Sequence, residues 1–327
     1  MKRSRVVIGW TAILRAVVVA CVCAAAVASQ AQWTVFDLNP AGATGSIATG
    51  VYGGQQAGWA TIGGIESAGL WSSTASSWVD LNPAAASASD AFAVASGQQG
   101  GYAVVNGDNH ASLWNGTSGS WVDLNPAGSN ISYVDGMGGG QQVGRATVSG
   151  AIHAGLWTGS ADSWVDLNPA GAATSDAKGT DGSTQVGVAV FGSETHAGLW
   201  NNTAASWVDL NPAGSTYSWA FSVSGGQQVG YTYVGAVTHA SLWNSSAASW
   251  VDLQAYLPSD ITISKALGIW QDGSGVTYIA GDGVNPTAGT AEALLWVSTP
   301  APEPATVTFV SLGLLGVFHR RRLKRVP

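Results

Sequence analysis

Four histidines recur at a fixed interval: His110, His153, His196 and His239 each follow the last by 43 residues. Each is followed 13 residues later by an aspartate, giving the pairs His110 with Asp123, His153 with Asp166, His196 with Asp209 and His239 with Asp252. An imidazole beside a carboxylate can move a proton or ligate a metal. The repetition argues against both. A metal site needs three or four ligands converging on one point, and copying a single histidine from unit to unit disperses them. The expectation is therefore a structural His–Asp pair that fixes each unit. A second set of acids does not repeat: Asp90, Asp135, Asp176, Asp181 and Asp272. Unlike carboxylates meeting in one cleft are what a glycoside hydrolase or lyase requires, so these five carry the enzymatic alternative.

The elements that must position these residues are set by the same period. The phrase SWVDLNPAG spans Ser120–Gly128, Ser163–Gly171 and Ser206–Gly214, with shorter or degenerate copies at Ser77–Pro83 and Thr34–Gly42. Its aspartates Asp37, Asp80, Asp123, Asp166, Asp209 and Asp252 are spaced by 43 residues, which marks one supersecondary unit copied in tandem. Within a unit, four short apolar segments are separated by Gly- or Asn-bearing turns. In one unit these are Ala220 to Val223, Gln228 to Val234, His239 to Trp243 and Trp250 to Leu253. Such lengths and turns read as antiparallel strands joined by hairpins. Pro212 in the longer link LNPAGST cannot continue a central strand.

Four antiparallel strands per unit predict a six-bladed β-propeller. The HAxLW tryptophans Trp71, Trp114, Trp157, Trp200, Trp243 and Trp296 set the count. An open β-solenoid and a β-sandwich are the rival architectures. The last unit lacks a WVDL strand, and Val35 to Leu38 precedes the first complete blade. The N-terminal strand is therefore expected to complete the last blade and close the ring, which would remove open sheet edges. In the final hairpin of a unit, Ser112 should face Asp123 and Leu113 should face Val122, which places His110 diagonally beside Asp123. The paired tryptophans are expected to fill space between blades, and Asp-Leu-Asn-Pro to close an Asx turn. GGQQVG has no strand-to-helix context and is not a phosphate loop. Nothing in the sequence calls for a cofactor.

Charge and the chain ends speak to location. Only 9% of the 327 residues are charged. Nine of the 12 basic residues lie in the two termini, and Gln32 to Thr299 keeps Arg145, Lys178 and Lys265 against 18 acids. So acidic a surface repels phosphate backbones and excludes nucleic acid as a partner. Residues 1–31 read as a signal peptide: Lys2, Arg3 and Arg5, an apolar run to Val27, then small residues before Gln32. A retained anchor or lipidation at Cys21 are the competing readings. Both cysteines, Cys21 and Cys23, fall in this segment, so a mature chain has no thiol chemistry. The repeat domain is taken as 32–299.

Residues 300–327 carry Pro302-Glu303-Pro304, an apolar run from Ala305 to Phe318, and the basic cluster Arg320, Arg321, Arg322, Lys324 and Arg325. As a helix the run spans about 21 Å, short of the roughly 30 Å hydrocarbon core, with snorkelling arginines making up part of the difference. The order Pro-Glu-Pro, Gly-Leu-Leu-Gly helix and Arg-rich end resembles the PEP-CTERM sorting signal of exported bacterial proteins. That resemblance implies recognition by a membrane exosortase-type enzyme, transient inner-membrane anchoring and removal of the tail. HAxLW, GQQVG and the terminal DLxxxLP segment resemble the HAF-type extracellular repeat family, although Ser or Gly follows His-Ala where that family has Phe. This implies export and a repeat architecture, with surface polysaccharide as a candidate partner. The overall expectation is an exported, non-enzymatic interaction or structural module, with a propeller carbohydrate-active enzyme as the alternative.

Overall fold

The computed structural model describes residues 35–298 apart from residue 288. The signal segment, the Pro302-Glu303-Pro304 motif and the basic cluster lie outside the described residues. Residues 1–37 and 38–327 form separate compact units, and of the first only Val35 to Asp37 is described. Among the described residues no helix is long and apolar enough to cross a membrane.

The described residues of the second unit are all-β and form six antiparallel sheets in chain order. Sheet 1 holds β1 (Ala43–Tyr52), β2 (Gln55–Ile62), β3 (Ile65–Trp71) and β4 (Val79–Asp80). Sheet 2 holds β5 (Ala86–Ala95), β6 (Gln98–Val105), β7 (Asp108–Trp114) and β8 (Val122–Asp123). Sheet 3 holds β9 (Ser132–Gly138), β10 (Gln141–Val148), β11 (Ala151–Trp157) and β12 (Val165–Asp166). Sheet 4 holds β13 (Thr174–Thr180), β14 (Gln185–Phe191), β15 (Glu194–Trp200) and β16 (Val208–Asp209). Sheet 5 holds β17 (Ser218–Ser224), β18 (Gln227–Val234), β19 (Val237–Trp243) and β20 (Val251–Asp252). Sheet 6 has three strands, β21 (Ile263–Gln271), β22 (Thr277–Asn285) and β23 (Thr290–Val297). Each sheet is a simple meander, with the strands in the order in which the chain makes them.

The closing strand expected at Val35 to Leu38 is not formed among the described residues. That stretch carries no strand, Val35 and Phe36 are 92% and 61% exposed, and β23 ends sheet 6 with Leu295 65% exposed. The outer strands that do form are short. Each is two residues long and makes two register pairs, such as Gly155↔Asp166 and Leu156↔Val165. Each is tethered to its neighbour by a short 3₁₀ turn, such as Ala161–Ser163.

Successive sheets stack through five buried clusters. Between sheets 1 and 2, Ala57, Ala68, Leu70 and Leu81 pack against Ala91, Val94, Ala103 and Trp114. The same pattern recurs with Trp157, Trp200 and Trp243 inserted between the leucines of the preceding sheet. Each of these indoles is fully buried, so each contributes on the order of 3 kcal/mol to holding two sheets together. Between sheets 5 and 6, Ala240 and Leu253 meet Ala266 and Ile279, with Trp296 only partly buried.

A second tryptophan lies over the outer hairpin, and one residue decides how. In sheets 1, 3 and 4 the motif reads Ala-Gly-Leu-Trp. A Cβ at Gly69, Gly155 or Gly198 would fall within 2.0 Å of the ring of Trp78, Trp164 or Trp207. The indole therefore lies on bare backbone, with its centroid 4.6–4.7 Å from the buried tryptophan. In sheets 2 and 5 the glycine is replaced by serine. There Trp121 and Trp250 donate Nε1–H to Ser112 and Ser241 at 2.9 and 2.8 Å.

The Asp-Leu-Asn-Pro phrase ties one sheet to the next. Asn125 donates its backbone N–H to Asp123 at 2.8 Å, closing an Asx turn. Its side-chain oxygen accepts from Ser132 Oγ, which in turn accepts the N–H of Ala111 at 2.8 Å. The same latch recurs at Asn82, Asn168 and Asn211, with Gln254 in its place in sheet 5.

Candidate functional site

The structure brings each repeated histidine to its aspartate. Nδ1 of His110, His153, His196 and His239 lies 2.8, 2.8, 2.7 and 2.9 Å from Oδ2 of Asp123, Asp166, Asp209 and Asp252. The other oxygen of each carboxylate accepts a backbone N–H, from Asn125, Asn168, Asn211 or Gln254. Each imidazole thus donates to a carboxylate already engaged in a turn, a geometry that anchors the outer hairpin. Among the described residues, no three or more His, Cys, Asp or Glu side chains are placed to hold a metal ion.

The chemistry that varies lies on the inner strands. Each carries a β-bulge at a corresponding place, between Ala48/Gly50, Ala91/Ala93, Val143/Gly144 in the partner strand's register, Ala177/Gly179, Ala220/Ser222 and Ala266/Gly268, and β1 and β5 carry a second register shift at Ala43/Gly45 and Ala86/Ser89. A bulge leaves one residue unpaired and re-aims its side chain. It also drives the preceding carbonyl toward the partner strand. A Cβ at Gly101, Gly144 or Gly187 would sit 2.0 Å from the carbonyl oxygen of Asp90, Tyr133 or Asp176, so only glycine fits opposite the bulge.

The bulged residues are Thr49, Phe92, Asp135, Lys178, Phe221 and Leu267. Two residues earlier stand Ile47, Asp90, Tyr133, Asp176, Trp219 and Lys265, cross-strand from Trp59, Tyr102, Arg145, Val188, Tyr231 and Asp282. No two sheets have the same set. The outer strands are nearly identical copies, whereas these positions collect the acids, bases and aromatics.

Sheets 3 and 4 meet there in an ion quartet. Arg145 Nη1 donates to Asp135 at 2.9 Å and to Asp176 at 2.8 Å, while Lys178 Nζ lies 2.6 Å from Asp176 and 3.5 Å from Asp135. All four side chains are 14–25% exposed. Burial, and then the charge of Asp176, push Asp135 up from the ordinary 3.8 to about 6, against the opposing pull of Lys178 and Arg145. In sheet 2, Asp90 is raised to about 7, first by burial and then by Glu66. Aromatic rings extend the band on both sides. Tyr102 stands 5.2 Å from Tyr133, whose ring lies under the Arg145 guanidinium at 4.4 Å. Lys178 lies 5.8 Å from the Trp219 ring, and Lys265 lies 5.6 Å from that of Tyr231. A cavity of about 320 Å³ opens beside the quartet, lined by Arg145, Asp176, Val188, Thr195, Tyr217 and Trp219 among others.

Of the five non-repeated acids, Asp135 and Asp176 converge and Asp90 belongs to the same band. Asp181 and Asp272 do not join it. Each caps a tight turn, Asp181 accepting from the N–H groups of Ser183 and Thr184, and Asp272 from those of Ser274 and Val276. Burial nudges Asp181 upward, but these bonds outweigh it and hold its carboxyl below the usual range. Sequence reasoning did not place Arg145, Lys178, Tyr217 or Trp219 at the site. The signal was present as departures from the 43-residue column alignment, where Tyr133, Asp176 and Trp219 occupy one column. It also missed the second glutamine of GGQQVG and its counterparts in the diverged copies SGQQGG and GSTQVG. Gln99, Gln142, Gln185 and Gln228 are fully buried, each accepting a backbone N–H from the outer loop at 2.7–2.9 Å.

No family model and no curated protein matches the chain. Among solved structures it is similar to TolB from Acinetobacter baumannii, at a TM-score of 0.46 and 9% identity, over 74% of this chain and 64% of that one. A prolyl endopeptidase gives a TM-score of 0.45 at 9% identity, over 77% of this chain and 50% of that one. The tricorn protease gives a TM-score of 0.45 at 10% identity, over 79% of this chain and 27% of that one. The chain therefore spans less than two thirds of the length of each, and no activity is carried over from them.

Proposed function

We propose that this chain is an exported, non-enzymatic interaction module of the cell surface or extracellular matrix, a six-bladed propeller whose contact surface is the band of unlike residues at the inner-strand bulges. The observation that carries this reading is the division of chemistry within each sheet. The repeated His–Asp, Asn and Gln groups are consumed in hydrogen bonds that join strands and sheets. The unrepeated acids, bases and rings gather on adjoining inner strands. Rings interleaved with polar groups suit a polysaccharide, whose faces are apolar and whose edges are hydroxyls. Export rests on the basic start and apolar run of residues 1–31 and on the PEP-CTERM-like tail, read by an exosortase-type partner at Pro302-Glu303-Pro304 and removed from the membrane afterwards.

Pull-down of cell-envelope polysaccharide by the full-length protein, together with the mass of the chain recovered from the cell surface, tests both halves. Retention of a saccharide fraction and a mass lacking both termini are expected. No retention of any envelope fraction, or a full-length mass in the cytoplasm, contradicts the reading. A second reading, a carbohydrate-active enzyme, draws on one observation: Asp135 and Asp176 share Arg145 and Lys178, and Asp135 is raised to about 6, in the range of a general acid. Release of reducing ends from an envelope polysaccharide, abolished by Asp135→Asn, would favour it.

A further inference from the structure

We infer that the protein docks head to tail on a second copy of itself, sheet 6 of one copy receiving sheet 1 of the next, a contact separate from the inner-strand band proposed above. Each joint between successive sheets has two unlike halves. One sheet gives residues of its outer hairpin, such as Ala68 and Leu70 of sheet 1. The next gives residues of its inner strand, such as Ala91 and Val94 of sheet 2. Under that cover Leu70, Leu113, Leu156 and Leu199 are only 3–6% exposed. Sheet 6 repeats the first half, with Ala280 opposite Leu295 as Ala57 is opposite Leu70. Yet Ala280 and Ala293 are exposed, and Leu295 is 65% exposed. Sheet 1 repeats the second half, with Ala48 opposite Gly58 and Val51 opposite Gln56, as Ala91 is opposite Gly101 and Val94 opposite Gln99. Yet Ala48 is exposed, and Val51 is 74% exposed. Both halves of a sixth joint are therefore present in one chain, and they do not cover each other.

One hydrogen bond says what the two faces take. At every joint a serine of the incoming sheet accepts the N–H of the hairpin alanine at 2.8–3.0 Å, as Ser89 does from Ala68 and Ser132 from Ala111. That serine is oriented by donating to the Asn, or to Gln254, that precedes it in the chain. Sheet 1 carries the same serine in the same state, with Ser46 Oγ donating to Asn39 Oδ1 at 2.8 Å. Sheet 6 carries the same alanine, Ala293 standing opposite Asp282 as Ala68 stands opposite Trp59. Among the described residues, no serine reaches the N–H of Ala293. A backbone N–H on an open sheet edge is a template for another chain. The leucine after each outer strand also returns to that alanine, Leu81 donating its N–H to the Ala68 carbonyl at 2.8 Å. Its counterpart 43 residues earlier is Leu38, which is carried beside Asn39. The serine, leucine and inner strand that sheet 6 lacks are thus held together at the far end of another copy. Two unlike faces make a heterologous contact, which propagates into a ring or a filament.

The test is sedimentation of the full-length protein, in a mild detergent, over a wide range of concentration. The wild type is expected to grow from monomer to larger species as concentration rises. Leu295→Asp and Val51→Asp each place a charge on one half of the joint. Both positions are exposed in the single chain, so each variant is expected to keep its melting temperature. Each is expected to weaken association at least about tenfold, because the carboxylate would be buried against an apolar face. Mixed in equal amounts, the two variants are expected to form a dimer and stop there, since each keeps the half that the other has lost. A wild type that stays monomeric overturns the assignment. So does association that neither variant weakens, or a mixture that stays monomeric. Monomeric variants with lowered melting temperatures would mean that the two faces meet within one chain, which overturns it equally. Retention of saccharide is read separately, so none of these outcomes decides the interaction reading.

Discussion

The outer and inner halves of each sheet obey different rules. Along the outer hairpins the same side chains recur every 43 residues, and nearly every polar group is consumed within the protein. Along the inner strands only the backbone recurs: the bulge, and the glycine opposite it whose missing Cβ lets a carbonyl approach. The side chains at the bulge change from sheet to sheet, and only sheets 3 and 4 bring two acids and two bases together. A tandem array multiplies whatever it copies. A single ligand site can arise in it only where the copies have diverged, at positions the scaffold does not need.

Substitutions should separate the halves. The largest expected effect is Trp157→Ala. Its indole is fully buried between Leu113 and Leu124 of the preceding sheet, so loss of about 3–5 kcal/mol is expected in denaturant melts. Arg145→Met comes next. It leaves Asp135 and Asp176 sharing Lys178 alone, and a loss of about 3 kcal/mol at pH 7 is expected by the same measurement. That loss should shrink as pH falls and a carboxylate takes up a proton.

The wild type carries its own pH signature. Asp135 binds its proton more tightly folded, at about 6, than unfolded, near 3.8. The folded state therefore holds the extra proton between those values. The resulting stabilisation is complete below the unfolded value and is lost as pH rises through the folded one, an effect on the order of 2–3 kcal/mol. Asp90, also raised, adds in the same direction. Chemical melts between pH 4 and 7 should show stability falling with rising pH, with a flatter slope in Asp135→Asn. A slope unchanged by that substitution would remove Asp135 as its source. The smallest expected effect belongs to Ser112→Gly. It exchanges one hydroxyl-to-indole bond for the ring-on-backbone packing that sheets 1, 3 and 4 already use, and a change under about 1 kcal/mol is expected in thermal melts.

Much of the outer half was legible in the sequence because it is periodic. The alternation of Ala111, Leu113, Val122 and Leu124 fixes the hairpin register, and Ser112↔Asp123 and Leu113↔Val122 are its pairs. From that register the neighbourhood of His110 and Asp123 follows. The inner half was less legible because a bulge leaves no mark in hydrophobic alternation. Shifting one residue out of register put Asp135 of sheet 3 beside Asp176 of sheet 4, although they stand in different columns of the repeat. Two bases isolated in a nearly base-free body, Arg145 and Lys178, were the strongest available hint. The expected closing strand was read from the count of WVDL copies and the one missing from the last unit; no strand forms at Val35 to Leu38 among the described residues.

The division between scaffold and site is tested most directly by amide hydrogen exchange, with and without the envelope polysaccharide the protein retains. New protection is expected in the inner-strand segments 132–138, 174–180 and 218–224, with the outer hairpins 151–166 and 194–209 unchanged. Protection appearing instead along the outer hairpins, at the His–Asp pairs, would contradict the account.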